Sequence, residues 1–281
     1  MSDSENEGGI PLLDPEFDST STSKKRQRDL EPGADADAKK AIKKAKRKEK
    51  KKQKLKATNN IDEDDLDQEL GVNRAFEKMD SQLLADYINS RTRHYGKELS
   101  SLELEDKFIP AHTIKDASSW TKPRTLENLA AFLKKQSKDL KPTPAKPCGA
   151  PHTLIVTSSG IRAADTFRAL KSGLPAQGVQ KANVAKLFAK HMKLKEQVDL
   201  LKKSNIDFGV GTPDRLSALL DQNALSVANL KRIVVDVSYI DQKKRGILDM
   251  RELHEPLIKL LLRGDFMGED QQDAGDLLVF Y

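Results

Sequence analysis

The sequence predicts an α/β fold: a mostly parallel sheet flanked by helices, behind a disordered, basic N-terminal tail. Two observations predict it. From residue 148 onward, short apolar runs of strand length alternate with amphipathic stretches of helical period, the pattern of a parallel sheet covered on both faces. Before residue 60 the chain has almost no apolar anchors and carries its charge in blocks, so it buries too little surface to offset ordering entropy. Three regions follow: an acidic then basic tail over 1–60, a helical extension ending in a Pro-rich linker over 61–147, and the α/β domain over 148–281.

The elements can be justified in order. Residues 66–104 alternate apolar and polar at helical spacing, with Leu83, Leu84, Tyr87 and Ile88 expected on one face and Asp80 or Ser81 as the cap. A second helix begins near Arg124-Thr125 and carries Leu126, Leu129, Ala130 and Leu133. Lys141-Pro142-Thr143-Pro144-Ala145-Lys146-Pro147 reads as a stiff, extended linker. His152 to Thr157 is a short apolar strand and Ile161 to Lys171 the helix after it. Val179 to Leu187 fits strand or helix, and Lys193 to Lys203 fits helix. Ile206 to Val210 is a strand, and Pro213 to Leu220 a helix with proline in its first turn. Ile233 to Val237 reads as a buried strand, Leu253 to Leu262 as a helix and Leu277 to Phe280 as the last strand.

Charge and composition narrow the function classes. The net charge is +6, but 16 basic residues stand against five acidic ones between Lys24 and Lys56, which leaves 33 basic and 38 acidic residues elsewhere. That block has no aromatic residue, so its contact with nucleic acid would be to phosphate: salt-sensitive and blind to sequence. Its two clusters have the form of a nuclear import signal, the first made by Lys24, Lys25, Arg26 and Arg28, the second by Lys43, Lys44, Lys46, Arg47, Lys48, Lys50, Lys51 and Lys52. One cysteine, Cys148, excludes an internal disulfide framework and a cysteine-rich zinc site. We expect a soluble intracellular protein, since Met1 is followed by Ser, Asp and Glu and no apolar run reaches the length of a membrane span. Five scattered histidines and the lack of a G-x-S-x-G elbow give no support to metal or serine-hydrolase chemistry.

Three stretches stand in a telling order: Leu154-Ile155-Val156-Thr157-Ser158-Ser159-Gly160-Ile161-Arg162, then Val210-Gly211-Thr212-Pro213-Asp214-Arg215-Leu216, then Leu230-Lys231-Arg232-Ile233-Val234-Val235-Asp236. Gly-Thr-Pro-x-Arg places a hydroxyl, backbone N–H groups and a guanidinium at a helix N-terminus, where the dipole favours phosphate. An apolar strand ending in Asp presents a carboxylate at the carboxyl edge of a sheet, the usual ligand edge. Candidate RNA-binding residues are therefore Ser158, Ser159, Arg162, Thr212, Pro213 and Arg215. Each has a plainer role as well. Ser159 and Thr212-Pro213 are ordinary helix starts, Arg215 suits a surface ion pair, and Asp236 suits a structural strand end.

In this order and spacing the chain resembles the first RecA-like domain of DEAD-box helicases over about residues 150–281. It resembles more closely the Cms family of U3-containing 90S pre-ribosome subunits, helicase relatives that lack the catalytic motifs. That likeness extends to Met79-Asp80-Ser81-Gln82-Leu83-Leu84-Ala85-Asp86-Tyr87, to Leu99-Ser100-Ser101-Leu102-Glu103-Leu104 and to Arg124-Thr125-Leu126-Glu127-Asn128-Leu129. Departures from the helicase pattern are decisive. No G-x-x-x-x-G-K-[ST] stands in the chain, so the phosphate-cradling loop is not there. At the Asp-Glu-Ala-Asp position stands Asp236-Val237-Ser238-Tyr239, a degenerate form in which the glutamate that orients water is replaced by Val237. In the Pro-Thr-Arg-Glu-Leu position Ser159 and Gly160 replace Thr and Arg.

The resemblance implies a RecA-like domain without a functional P-loop, in a non-enzymatic factor of the nucleus and nucleolus. It would bind pre-rRNA or the U3 RNA–protein complex together with small-subunit assembly proteins, with no cofactor, metal, membrane or small-molecule substrate. A divergent ATP-dependent RNA helicase is the alternative, and a chromatin-associated basic protein a further one that leaves the helicase-like order unexplained.

Overall fold

Five β-strands of the domain form one parallel sheet, and its strand order explains where the candidate residues meet. The computed structural model describes residues 63–137, 140, 147–174, 182–189, 192–267 and 276–281. These fall within one compact unit, Lys54–Tyr281. The expected disordered tail, the import signal and linker residues 141–146 lie outside the described residues.

The region 63–137 is less uniformly helical than its periodicity suggests. It opens with a two-stranded antiparallel hairpin, β1 (Leu66–Asp67) and β2 (Val72–Asn73), which turns at Gly71 with φ of 64°. Helix α1 (Ser81–Tyr95) follows, and Asp80, not Ser81, caps it by accepting from the Leu83 N–H at 2.8 Å. Leu84, Tyr87 and Ile88 are buried as expected, but Leu83 is 54% exposed. At 100° per residue it lies on the outer flank of the stripe that Leu84 and Ile88 define. A short helix, α2 (Ser101–Glu105), is held by a capping box between Ser100 and Glu103. Helix α3 (Leu126–Gln136) begins directly after Thr125, whose backbone is extended.

The sheet strands are β3 (Thr153–Val156), β4 (Val184–Leu187), β5 (Phe208–Gly211), β6 (Arg232–Val235) and β7 (Leu278–Phe280), in the order β4-β5-β3-β6-β7. The ambiguous stretch 179–187 thus contains an edge strand. Helices α4 (Gly160–Gly173), α5 (Leu194–Leu201), α6 (Pro213–Asp221), α7 (Arg251–Leu261) and the short α8 (Gly264–Met267) connect them.

Period-two alternation splits the core. Leu154, Val156, Ile233, Val235, Leu278 and Phe280 pack with α1, α6 and α7 on one face. Ile155, Phe208, Val210, Val234 and Val279 pack with α3 and α4 on the other. Strand β5 has glycine wherever it faces the first layer. A Cβ on Gly209 would stand 2.7 Å from Leu187 Cδ1, and one on Gly211 2.3 Å from the Leu187 carbonyl. Beyond β7, Ile114 makes a single parallel bridge with Leu278, and the Lys115 N–H donates to the Leu278 carbonyl at 2.8 Å. The extension is thus joined to the sheet by backbone pairing as well as by shared core. No described helix is long and apolar enough to cross a membrane.

Candidate functional site

Helix α4, which leaves β3, packs on one face of the sheet, and α7, which follows β6, packs on the other. Divergent connections of this kind mark the place where open parallel sheets bind ligands, just outside the carboxyl ends of the strands. Ser158, Ser159 and Arg162 stand there after β3, and Asp236 after β6.

In this chain the gap is bridged from within. Arg162, in the first turn of α4, donates through Nε to Asp236 Oδ2 at 2.6 Å and through its Nη2 to Oδ1 at 3.3 Å. Both side chains are about nine-tenths buried or more, at 10% and 5% relative exposure. A cation in the first turn opposes the helix dipole, and Asp236 compensates it. The Tyr239 ring lies against the guanidinium, with Arg162 Cζ 4.2 Å from its centroid. The hairpin then pairs with the segment after β6: the Asn73 N–H donates to the Ser238 carbonyl at 2.7 Å, and the Ile240 N–H to the Gly71 carbonyl at 3.0 Å. From the other side the Tyr281 carbonyl accepts from the N–H groups of Val237 and Ser238. Burial raises the pKa of the Tyr281 hydroxyl, the Asp236 charge adds to the shift, and the hydroxyl donates to the Thr125 carbonyl at 2.6 Å.

Of the remaining candidates, Ser159 and Arg215 are engaged by hydrogen bonds within the protein. Ser159 caps α4, accepting from the Arg162 N–H at 3.2 Å. Ser158 is 9% exposed. Thr157 Oγ1 donates to the Gly211 carbonyl at 3.2 Å, tying the ends of β3 and β5 together. Thr212 is the N-cap of α6, without a side-chain cap bond, and Pro213 fills the first helical position. Arg215 points at protein: its Nη1 donates to Gln197 Oε1 at 3.0 Å and to the Met192 carbonyl at 3.3 Å. The Gln197 amide in turn donates to the carbonyls of Lys186 and Phe188, fixing the end of edge strand β4.

The structure thus unites Arg162 with Asp236, and places Arg215 in a separate relay. Sequence reasoning missed Gln197 and Tyr239. The signal for Gln197 was a polar residue on the α5 face that also carries Leu194, Val198 and Leu201. No group of three or more His, Cys, Asp or Glu that could hold a metal ion occurs among the described residues.

Fold and site together define a parallel α/β domain whose ligand edge is crossed by its own buried ion pair. The family described as CMS1, U3-containing 90S pre-ribosomal complex subunit, matches residues 19–281. The chain belongs to this family. Protein CMS1 of Chaetomium thermophilum is 53% identical over 227 residues, covering 78% of this chain and 87% of that protein. Human Protein CMSS1 is 33% identical over 188 residues, with coverage of 65% and 60%. Protein CMS1 of Saccharomyces cerevisiae is 27% identical over 189 residues, with coverage of 62% and 58%. Among solved structures, a variant of S. cerevisiae Dbp5 bound to RNA and ADP BeF3 aligns with a TM-score of 0.38 and 13% identity, covering 69% of this chain and 44% of that one.

Proposed function

We propose that this protein is a non-enzymatic ribosome-biogenesis factor of the nucleolus, a scaffold that binds RNA and protein within the small-subunit precursor. The observation that carries this reading is the Arg162–Asp236 pair. Phosphoryl transfer needs donors free to take up phosphate and a carboxylate free to hold magnesium. Here the buried guanidinium and the strand-end carboxylate at the ligand edge satisfy each other, and Val237 stands where a second carboxylate would be needed. An incoming triphosphate would have to break a buried, bidentate pair.

RNA affinity divides unequally in this reading. The Lys24–Lys56 block supplies most of it through phosphate contacts and also directs nuclear import. The carboxyl edge with Ser158, Ser159, Arg162, Thr212, Pro213 and Arg215 adds a minor share, through backbone N–H groups more than through the two arginines. Partners are pre-rRNA or the U3 RNA–protein complex and small-subunit assembly proteins. Affinity purification of the tagged full-length protein, with sequencing of the recovered RNA, tests this. Enrichment of U3 RNA and early pre-rRNA is expected. Recovery of messenger RNA or mature rRNA without U3 would contradict it.

A further inference from the structure

Surface aspartates of the domain are commonly matched by a cation: Asp65, Asp67, Asp165, Asp221, Asp249 and Asp265 each pair with Lys or Arg. The groove between α1 and the segment running from α2 to Pro110 is different. It encloses about 530 Å³, and its charged lining residues are Asp86, Glu105 and Asp106, with no Lys or Arg. None of the three makes an ion pair with a described residue; Asp86 only accepts from the Gln82 amide at 3.1 Å. Arg93, whose guanidinium carbon lies 4.6 Å from the Phe108 ring centroid, is not among the lining residues. Phe108, Pro110, Leu262 and Met267 add apolar surface to a lining that is otherwise mostly polar.

Helix α2 beside this groove buries none of its residues. A second cavity of about 510 Å³ shares Asp106 and Leu262 with the first, so the Asp106 turn at the end of α2 separates two hollows. Two exposed apolar side chains stand one helical turn from these carboxylates, outside the lining itself: Leu83, three residues before Asp86 on α1, at 54%, and Leu102, four before Asp106, at 69%. Neither stabilises the domain through burial, and unopposed carboxylates repel one another.

We propose that this groove docks a Lys/Arg-rich amphipathic segment of a partner protein. Aliphatic stems of its basic residues would lie along Phe108, Leu262 and Met267 while their charges meet Asp86, Glu105 and Asp106. Its apolar residues would cover Leu83 and Leu102. The carboxylates repel the RNA backbone, so this side of the domain faces protein. The inference rests on the scaffold reading above, and names the chemistry of one protein partner.

The test uses full-length protein and a fluorescent amphipathic peptide built only from leucine and lysine, followed by anisotropy. Asp86→Lys with Glu105→Lys should weaken binding by about ten-fold or more, and the isosteric Asp86→Asn with Glu105→Gln by less. Leu102→Ser should weaken it by about three-fold. Asp64→Lys with Glu69→Lys, away from the groove, should leave it within about two-fold of the parent. Unchanged binding in the groove variants, or an equal loss in the control, would overturn the proposal. Because U3 recovery is measured separately, either reading can fail without the other.

Discussion

Arg162 Nε donates to Asp236 Oδ2 at 2.6 Å across the carboxyl edge of the sheet, so the first turn of α4 is fastened to the end of β6 by a buried ion pair. The guanidinium and the carboxylate at this edge are thereby joined to each other.

Removing one partner should be costly. Asp236→Ala leaves a buried guanidinium uncompensated, and a loss of about 3–5 kcal/mol in urea unfolding is expected. The double variant Arg162→Met/Asp236→Leu removes both charges and should recover most of that loss. Equal destabilisation of the single and double variants would show that the pair does not act as a unit.

His254 predicts an acid-sensitive domain. It is 2% exposed, its Nε2 lies 3.0 Å from Thr92 Oγ1, and its ring packs on Tyr95 at 5.1 Å. Burial and then the nearby Arg91 charge push its pKa down from 6.5 to about 4. The unfolded chain takes up this proton first, so stability is full above about pH 6.5 and is lost as pH falls from there toward 4. The limit is about 3 kcal/mol, at about 1.36 kcal/mol per unit. Equilibrium unfolding from pH 7.5 to 4 should show this component, and His254→Phe should remove it.

Arg215 separates a structural from an RNA-contacting role. Its loss leaves Gln197 Oε1 without its donor inside a wholly buried side chain. Arg215→Ala should cost about 1–3 kcal/mol in stability. Its effect on single-stranded RNA affinity should stay within about two-fold. A large affinity loss at unchanged stability would assign Arg215 to RNA directly.

Much of the layered fold was legible because four of the five sheet strands are short apolar runs set between helical periods, and proline at position 213 marked a helix start; edge strand β4, with Lys186 exposed in its middle, fitted strand or helix alike. The stretch 66–104 misled because helical spacing of apolar residues also arises in a chain that turns back on itself. The hairpin at Gly71 is selected by pairing with Ser238 and Ile240, which no local window contains. At the site, Arg162 and Asp236 were each singled out, but their contact was not, because 74 residues separate them and only the sheet order brings them together. Gln197 passed unnoticed because its partners are backbone carbonyls and an arginine from another helix.

Gly211 tests the packing of β5. Its Cβ would approach the Leu187 carbonyl to 2.3 Å, a backbone atom that cannot swing aside. Gly211→Ala should destabilise the domain by about 1–3 kcal/mol, read as a lower midpoint at unchanged slope in denaturant titration.

Salt dependence tests where RNA affinity resides. Log affinity for single-stranded RNA should fall linearly with log salt, with a slope of about −0.7 for each phosphate contacted. Replacing Lys43, Lys44, Lys46, Arg47 and Lys48 by glutamine should flatten that slope by several contacts. A slope unaffected by these changes would move RNA binding to the folded domain.

ATP turnover by purified full-length protein, with and without single-stranded RNA, tests the central claim most directly. The closed Arg162–Asp236 edge predicts no hydrolysis above the protein-free background in either condition. RNA-stimulated turnover that Asp236→Asn abolishes while the protein stays folded would contradict it, and would make this a divergent ATP-dependent enzyme.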